Sequence, residues 1–296
     1  MAAAFIDGSV ASLRGPSRQA MILDIVGLQN IMNATAIDQM INNVLTFVAP
    51  AIAGFMIDKI SFESVYFTMS ITYLTAFIFV LFIPAIKPKI TFKTTLLSGF
   101  YSDMKAALIY IKNEPIILSV LVFPLFAVFL SHPYLNLMPI FTDDILKVGA
   151  TGLGWLRSVS GIGAIVGSII IASLPNKKRG FLMLICGIVL GLALSVFAFS
   201  KIWSLSLATM VIVGLWQAIL GTLSLALIQQ YTRDEYRGRV ISFHGMSAGL
   251  SGFGTFFASI FVATIGVEWS VASLALLLAV IATLVILFYP RLRKLD

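Results

Sequence analysis

Charge is what this sequence has least of. Lys, Arg, Asp and Glu make up 11% of its 296 residues, against 59% hydrophobic, whereas a soluble domain is about a quarter charged. A water-exposed globule is excluded. Cysteine occurs once, at Cys186, which leaves neither a disulfide framework nor a thiolate metal site. His132 and His244 are the only histidines, too few for the usual His-based metal clusters. No glycine-rich loop ending in Lys-Ser or Lys-Thr is present, so ATP use is not expected, and no cofactor or metal is called for. The net charge of +7 comes from basic residues dispersed among short loops, a pattern of membrane topology rather than of nucleic-acid binding.

What is present is apolar sequence in blocks of about 20 residues, the length that crosses a hydrocarbon core of about 30 Å as a helix. Eight full spans are expected, at 34–57, 64–86, 115–141, 151–174, 179–200, 204–229, 240–266 and 270–289, which makes an all-α polytopic membrane protein. Residues 1–13 form an apolar stub too short to cross, without the basic residues that precede a signal peptide. Of the Lys and Arg residues, sixteen fall on one side of these spans, from Arg14 and Arg18 to Arg291, Arg293 and Lys294. Only Lys59, Lys147 and Lys201 fall on the other. The basic side, with the C-terminus, is therefore cytoplasmic. The long loop 87–114 carries Leu96, Phe100, Met104, Ala107, Leu108 and Ile111 at helical spacing with lysines between, an amphipathic helix suited to the membrane surface. The helix–turn–helix pattern at 34–86 recurs about 206 positions later, as expected of parallel six-helix repeats.

Polar residues inside spans cost free energy and so mark candidate sites. Arg157 lies about two turns into its span. One reading has it reaching outward to water or to Asp143 and Asp144; the other turns it to a central cavity, where it attracts an anionic group. His132, Tyr134 and Asn136 sit in a helix interrupted by Pro124, Pro133 and Pro139, and broken polar helices at mid-membrane depth are where transporter sites form. Asp38, Asn42 and Asn43 cluster at a cytoplasmic helix end, and Trp216 and Gln217 are further cavity candidates. Each also has a plainer reading as packing or interhelical hydrogen bonding. Gly163 and Gly167, Gly187 and Gly191, and Gly245 and Gly249 are spaced for close helix contact. The serine-hydrolase pattern at Gly245-Met246-Ser247-Ala248-Gly249 lies within an expected span, where the strand-to-helix elbow it needs is not available. Gly249-Leu250-Ser251-Gly252 has no His after it to serve as a base.

Three stretches resemble the major facilitator superfamily, in its branch of drug, macrolide and siderophore exporters. Gly15-Pro16-Ser17-Arg18-Gln19-Ala20, followed by Asn33-Ala34 and by Ala49-Pro50-Ala51-Ile52-Ala53-Gly54, is similar to that family's loop before helix five and to helix five itself. Pro133-Tyr134, Pro139-Ile140-Phe141, Gly152-Leu153-Gly154 and Gly161-Ile162-Gly163 resemble helices seven and eight, and Arg237-Gly238-Arg239-Val240 the loop before helix eleven. The resemblance implies a fold of this type without helices one to three and most of four. Residues 1–86 would then be the remainder of the N-terminal bundle, 87–114 a cytoplasmic linker, and 115–296 the C-terminal six-helix bundle. The usual Gly and Arg of helix five are here Ala49 and Thr46.

The function so implied is secondary efflux of a small amphipathic compound across the inner membrane, coupled to an ion, the proton. Acids that couple protons in such exporters commonly lie in the helices not represented, so this chain should not transport by itself and should work with those helices or with another chain. The alternatives are a noncatalytic membrane partner and, less favoured, a membrane serine hydrolase using Ser247 or Ser251.

Overall fold

The computed structural model describes residues 41, 45, 48–82, 96–174, 177–293 and 295. Among these there is no strand, and six helices are long and apolar enough to cross a membrane. In chain order, α1 covers 48–59, α2 Phe62–Leu81, α3 Leu96–Asn113, α4 Pro115–Ser131, α5 Pro133–Ile140, α6 Gly149–Ser173, α7 Arg179–Phe199, α8 Trp203–Tyr231, α9 Asp234–Gly245, α10 Ser247–Phe288 and α11 Pro290–Arg293. The expected spans at 64–86, 115–141, 151–174, 179–200 and 204–229 each meet one of the long helices. Those at 240–266 and 270–289 fall in one unbroken apolar run, Gly238–Phe288. The run turns at Gly266, whose φ of 83° and ψ of 165° belong to a region open in practice only to glycine. The stub, Pro16, Arg18, Asp38, Asn42, Asn43 and half of the span at 34–57 lie outside the described residues.

Residues Pro50–Val65 and Phe92–Asp296 form one compact unit. The second unit includes Tyr66 onward of α2 and is taken by itself; no residue of Phe62–Leu81 is buried.

Within the larger unit α6 packs on α8, α7 on both α8 and α10, and α4 on α10. Lipid tails are as apolar as leucine, so these helices gain nothing from leaving lipid as such. They associate through close van der Waals contact, which small residues permit. A β-carbon on Gly163 would meet the Val211 carbonyl, one on Gly167 the Leu215 carbonyl, and one on Gly214 the Ser160 carbonyl. Glycines on both helices thus let the α6 and α8 backbones touch. Gly187 does the same beside the Phe123 ring and Ala282, and Gly191 beside Ala275 and Ala279. The expected pair Gly245 and Gly249 differs, since neither has a neighbour within 4 Å of an added β-carbon. The two straddle the junction between α9 and α10, so four-residue spacing does not place them on one helix face.

The amphipathic linker is helical, as α3, with Ala107 and Ile111 buried. Its Tyr110 ring stacks on Tyr236 of α9 at 4.2 Å between centroids and 10° between planes. The Tyr110 hydroxyl accepts from the Arg233 backbone N–H at 3.1 Å, while Arg239 lies over the Tyr236 ring at 5.7 Å. Gly238 has open space around it. Within the loop motif at 237–239, Arg239 thus braces the Tyr236 ring that meets α3. Tyr110→Ala removes a stacked pair worth about 1 kcal/mol beyond its buried area. The expected result is faster proteolysis within 96–113 with the spans intact; an unchanged cleavage rate would show that the stack does not hold α3.

Candidate functional site

Two prolines shape the centre of the unit. A helical N–H at position i normally bonds the carbonyl at i−4, and proline has no N–H to give. Pro133 therefore leaves the Phe129 carbonyl without its helical partner, and Pro139 leaves that of Leu135. Both carbonyls are met from other helices. Gly254 of α10 lies so close to the Phe129 carbonyl that an added β-carbon would collide with it. Arg157 of α6 donates from Nη2 to the Leu135 carbonyl at 3.1 Å. After Pro139 the chain widens into a π-helical turn, Phe141–Ile145, closed by the Leu146 N–H donating to the Phe141 carbonyl at 2.8 Å, while the Thr142 hydroxyl donates back to the Pro139 carbonyl at 2.9 Å.

Around this bend three of the sequence candidates join in one hydrogen-bonded chain. The hydroxyl of buried Tyr134 donates to Gln217 Oε1 at 3.4 Å, and Gln217 Nε2 lies 2.7 Å from His132 Nε2. With Gln217 donating, His132 accepts on Nε2 and carries its proton on Nδ1. Ser160, one turn beyond Arg157, is within hydrogen-bonding reach of the Tyr134 hydroxyl, and the Arg157 charge is close enough to act on it. Asn136 donates to Thr255 of α10 at 2.9 Å. Trp216 is half-buried against the apolar core. Residues at the start of α5, on α6 and on α8 thus bring His132, Tyr134, Arg157, Ser160 and Gln217 together in an otherwise apolar bundle, while Asn136 pairs separately with Thr255 of α10.

Arg157 makes its side-chain hydrogen bond inside the bundle. Its guanidinium turns to the Leu135 carbonyl rather than to Asp143 or Asp144, and its Nε is buried with no partner. An apolar groove of about 610 Å³ between α4 and α10, lined by Pro115, Phe126, Ile281 and Phe288 among others, carries no charged group and suits acyl chains. Ser251 lies inside helix α10, away from any strand-to-helix elbow. No group of His, Cys, Asp and Glu among the described residues could hold a metal ion.

A second polar feature, Asp58, went unrecognised in the sequence. Helix α6 has Val148 at its N-cap, with no side-chain cap of its own, and the exposed first amides of a helix favour an anion. Asp58, at the end of α1, supplies one: the Thr151 N–H donates to Asp58 Oδ2 at 3.0 Å. The Thr151 hydroxyl lies 3.3 Å from the Gly54 carbonyl and also within reach of the Asp58 carboxylate, its single proton serving either acceptor. A β-carbon on Gly154 would lie 2.6 Å from the Pro50 carbonyl, and one on Gly54 would meet the Ala150 carbonyl. Pro50 and Gly54, singled out by the resemblance, are thus seated on α6. Only the spatial pairing of two helices 93 residues apart could have revealed this capping.

Hydrogen bonds from the Thr151 side chain and backbone, followed by the Ala150 amide and the Lys59 charge, hold the Asp58 carboxyl below its ordinary value of 3.8, against a small desolvation penalty. A lowered value means that the clasp favours the ionised form. Its contribution is complete above the ordinary value and is lost as pH falls through the lowered one. The Thr151 amide should therefore exchange hydrogen slowly at any pH near neutral, after correction for intrinsic rate, and lose protection only in acid below the ordinary carboxylate range. Loss of protection near neutral pH would contradict the clasp.

Comparison with known proteins agrees with this architecture. The family of transmembrane secretion effectors matches residues 1–296. The Staphyloferrin A transporter of Staphylococcus aureus (strain NCTC 8325 / PS 47) is 22% identical over 269 residues, covering 89% of this chain and 66% of that protein. The chain thus spans just under two thirds of this relative's length. Given a whole-length family match and a multi-pass bundle of apolar helices around a polar centre, the chain belongs to the transmembrane secretion effectors, transporters of the major facilitator superfamily.

Proposed function

We propose that this chain contributes residues 115–296 as the C-terminal bundle of an exporter. The exporter moves a small amphipathic compound, siderophore-like or macrolide-like, across the inner membrane by alternating access, with its C-terminus in the cytoplasm and a proton as the coupling ion. The observation that carries this reading is the hydrogen-bonded chain Tyr134–Gln217–His132 at a proline-broken helix. A transporter of this type needs a polar site between bundles that rock against each other, and such groups are costly inside a membrane unless used. The staphyloferrin A named for the relative favours a siderophore among the possible cargoes.

The test uses everted inner-membrane vesicles from cells carrying the native gene, loaded with a pH-sensitive dye and given a panel of macrolides and siderophores. At least one compound should drive proton release. Gln217→Leu, which cannot bond either Tyr134 or His132, should cut that flux about tenfold or more at unchanged membrane abundance, since it leaves polar partners unpaired. Flux unaffected by Gln217→Leu would sink the proposed site.

A further inference from the structure

We infer that the cargo carries an anionic group, a carboxylate or its chemical equivalent, and that Arg157 receives it. The inference rests on the transporter reading and names the substrate class of that same site.

Arg157 is a fixed positive charge, because a guanidinium does not deprotonate in proteins. It lies well inside α6, Gly149–Ser173, where a central arginine costs about 2.5–3.5 kcal/mol to insert. A charge kept at that depth is ordinarily balanced by a carboxylate. Among the described residues none is within ion-pair distance. Its protein partner is a neutral backbone carbonyl, that of Leu135 at 3.1 Å, and its Nε–H is buried without any acceptor. The carbonyl is available only because Pro139 withholds an N–H from it. The bend thus holds the guanidinium in place without neutralising it.

Among the described residues, the counter-charge is left to a ligand. Tyr134, Gln217 and His132 are neutral groups already bonded among themselves, and Ser160 beside them is an uncharged hydroxyl. They can orient a polar molecule but supply no negative charge. A carboxylate entering this region gains a charge-assisted hydrogen bond and satisfies the orphaned Nε–H at once. An uncharged amide of the same shape can accept a hydrogen bond, as the Leu135 carbonyl does, but it brings no negative charge and leaves the arginine uncompensated. The side chain is half-buried rather than sealed, which leaves the guanidinium an accessible side for a ligand to approach.

The probes are 1-naphthoate and 1-naphthamide, nearly identical in shape and differing in charge. Their binding is read by quenching of tryptophan fluorescence in the transporter purified from cells carrying the native gene. Naphthoate should bind about tenfold or more tighter than naphthamide, the scale of one charge-assisted hydrogen bond. Arg157→Gln should erase that preference, bringing the two probes to equal affinity, and Arg157→Lys should restore part of it. Thermal unfolding of each variant, measured alongside, separates loss of the charge from loss of the fold. Equal binding of the two probes, binding of neither, or a preference that survives Arg157→Gln would overturn the inference. If it is overturned while Gln217→Leu still abolishes transport, the site stands and only its substrate class is wrong. If Gln217→Leu is also silent, the site itself has failed.

Discussion

Gly214→Val should keep the chain from accumulating as folded membrane protein, whereas Gly221→Ala, two turns along the same helix, should leave it intact. The difference lies in what each new side chain meets. At Gly214 an added β-carbon runs into the Ser160 carbonyl, with the Ser160 hydroxyl also close, and across the seam Gly163 and Gly167 press on the Val211 and Leu215 backbone. Backbone cannot swing aside as a side chain does, so α6 and α8 must separate along their whole contact. Overpacking a fitted core costs typically about 1–3 kcal/mol, and here the loss includes the van der Waals contact that holds the helices together in lipid. At Gly221 nothing lies within 4 Å, and alanine is the better helix former by roughly 0.5–1 kcal/mol. Membrane abundance and the unfolding temperature in detergent decide the matter. Equal behaviour of the two variants would mean that the α6–α8 seam is not what holds the unit together.

Gly154→Val should behave differently, preserving abundance and abolishing transport. Its β-carbon would meet the Pro50 carbonyl at 2.6 Å and Ala51 at 3.1 Å, wedging α6 away from α1 where Asp58 caps Thr151. In the rocking-bundle reading, α1 belongs to one bundle and α6 to the other, so this seam opens and closes once per cycle. A side chain that prevents closure traps one state without unravelling either bundle. The expected signature is normal membrane abundance, transport reduced to background, and loss of hydrogen-exchange protection at the Thr151 amide. Normal transport by Gly154→Val would show that the seam does not need to close. Loss of the protein from the membrane would show that the seam is structural, like that between α6 and α8.

Much of the fold was legible because a bilayer allows few solutions. Five expected spans meet single helices, and the last two divide at Gly266, where φ is positive. The hydropathy pattern carries this information directly, since each span must hide its own backbone polar groups. The site was half legible. His132, Tyr134, Arg157 and Gln217 stood out as polar residues in apolar runs, and Pro139 marked the bend. Their partners did not, because Ser160 and Thr255 are ordinary helix residues until another helix lies beside them. The same limit hid Asp58, which lies just past the expected span at 34–57 and caps a residue 93 positions away. Gly245 and Gly249 misled in the opposite direction: the spacing suggested a contact, but a junction between helices removed the common face it assumes. Asp38, Asn42 and Asn43 lie outside the described residues and keep their standing as sequence candidates.

The most direct test of the account asks whether its polar region is reached from both faces of the membrane. Cys186 is buried and is the single native thiol, so Cys186→Ala supplies a thiol-free background at small cost. Asn136→Cys in that background places a thiol at an exposed position beside Thr255. A membrane-impermeant methanethiosulfonate is then applied to right-side-out and to everted vesicles prepared from cells carrying the altered native gene. Labelling from both faces, slowed by a transported compound, is the result expected of a path with alternating access. Labelling from one face only, or from neither, would contradict it.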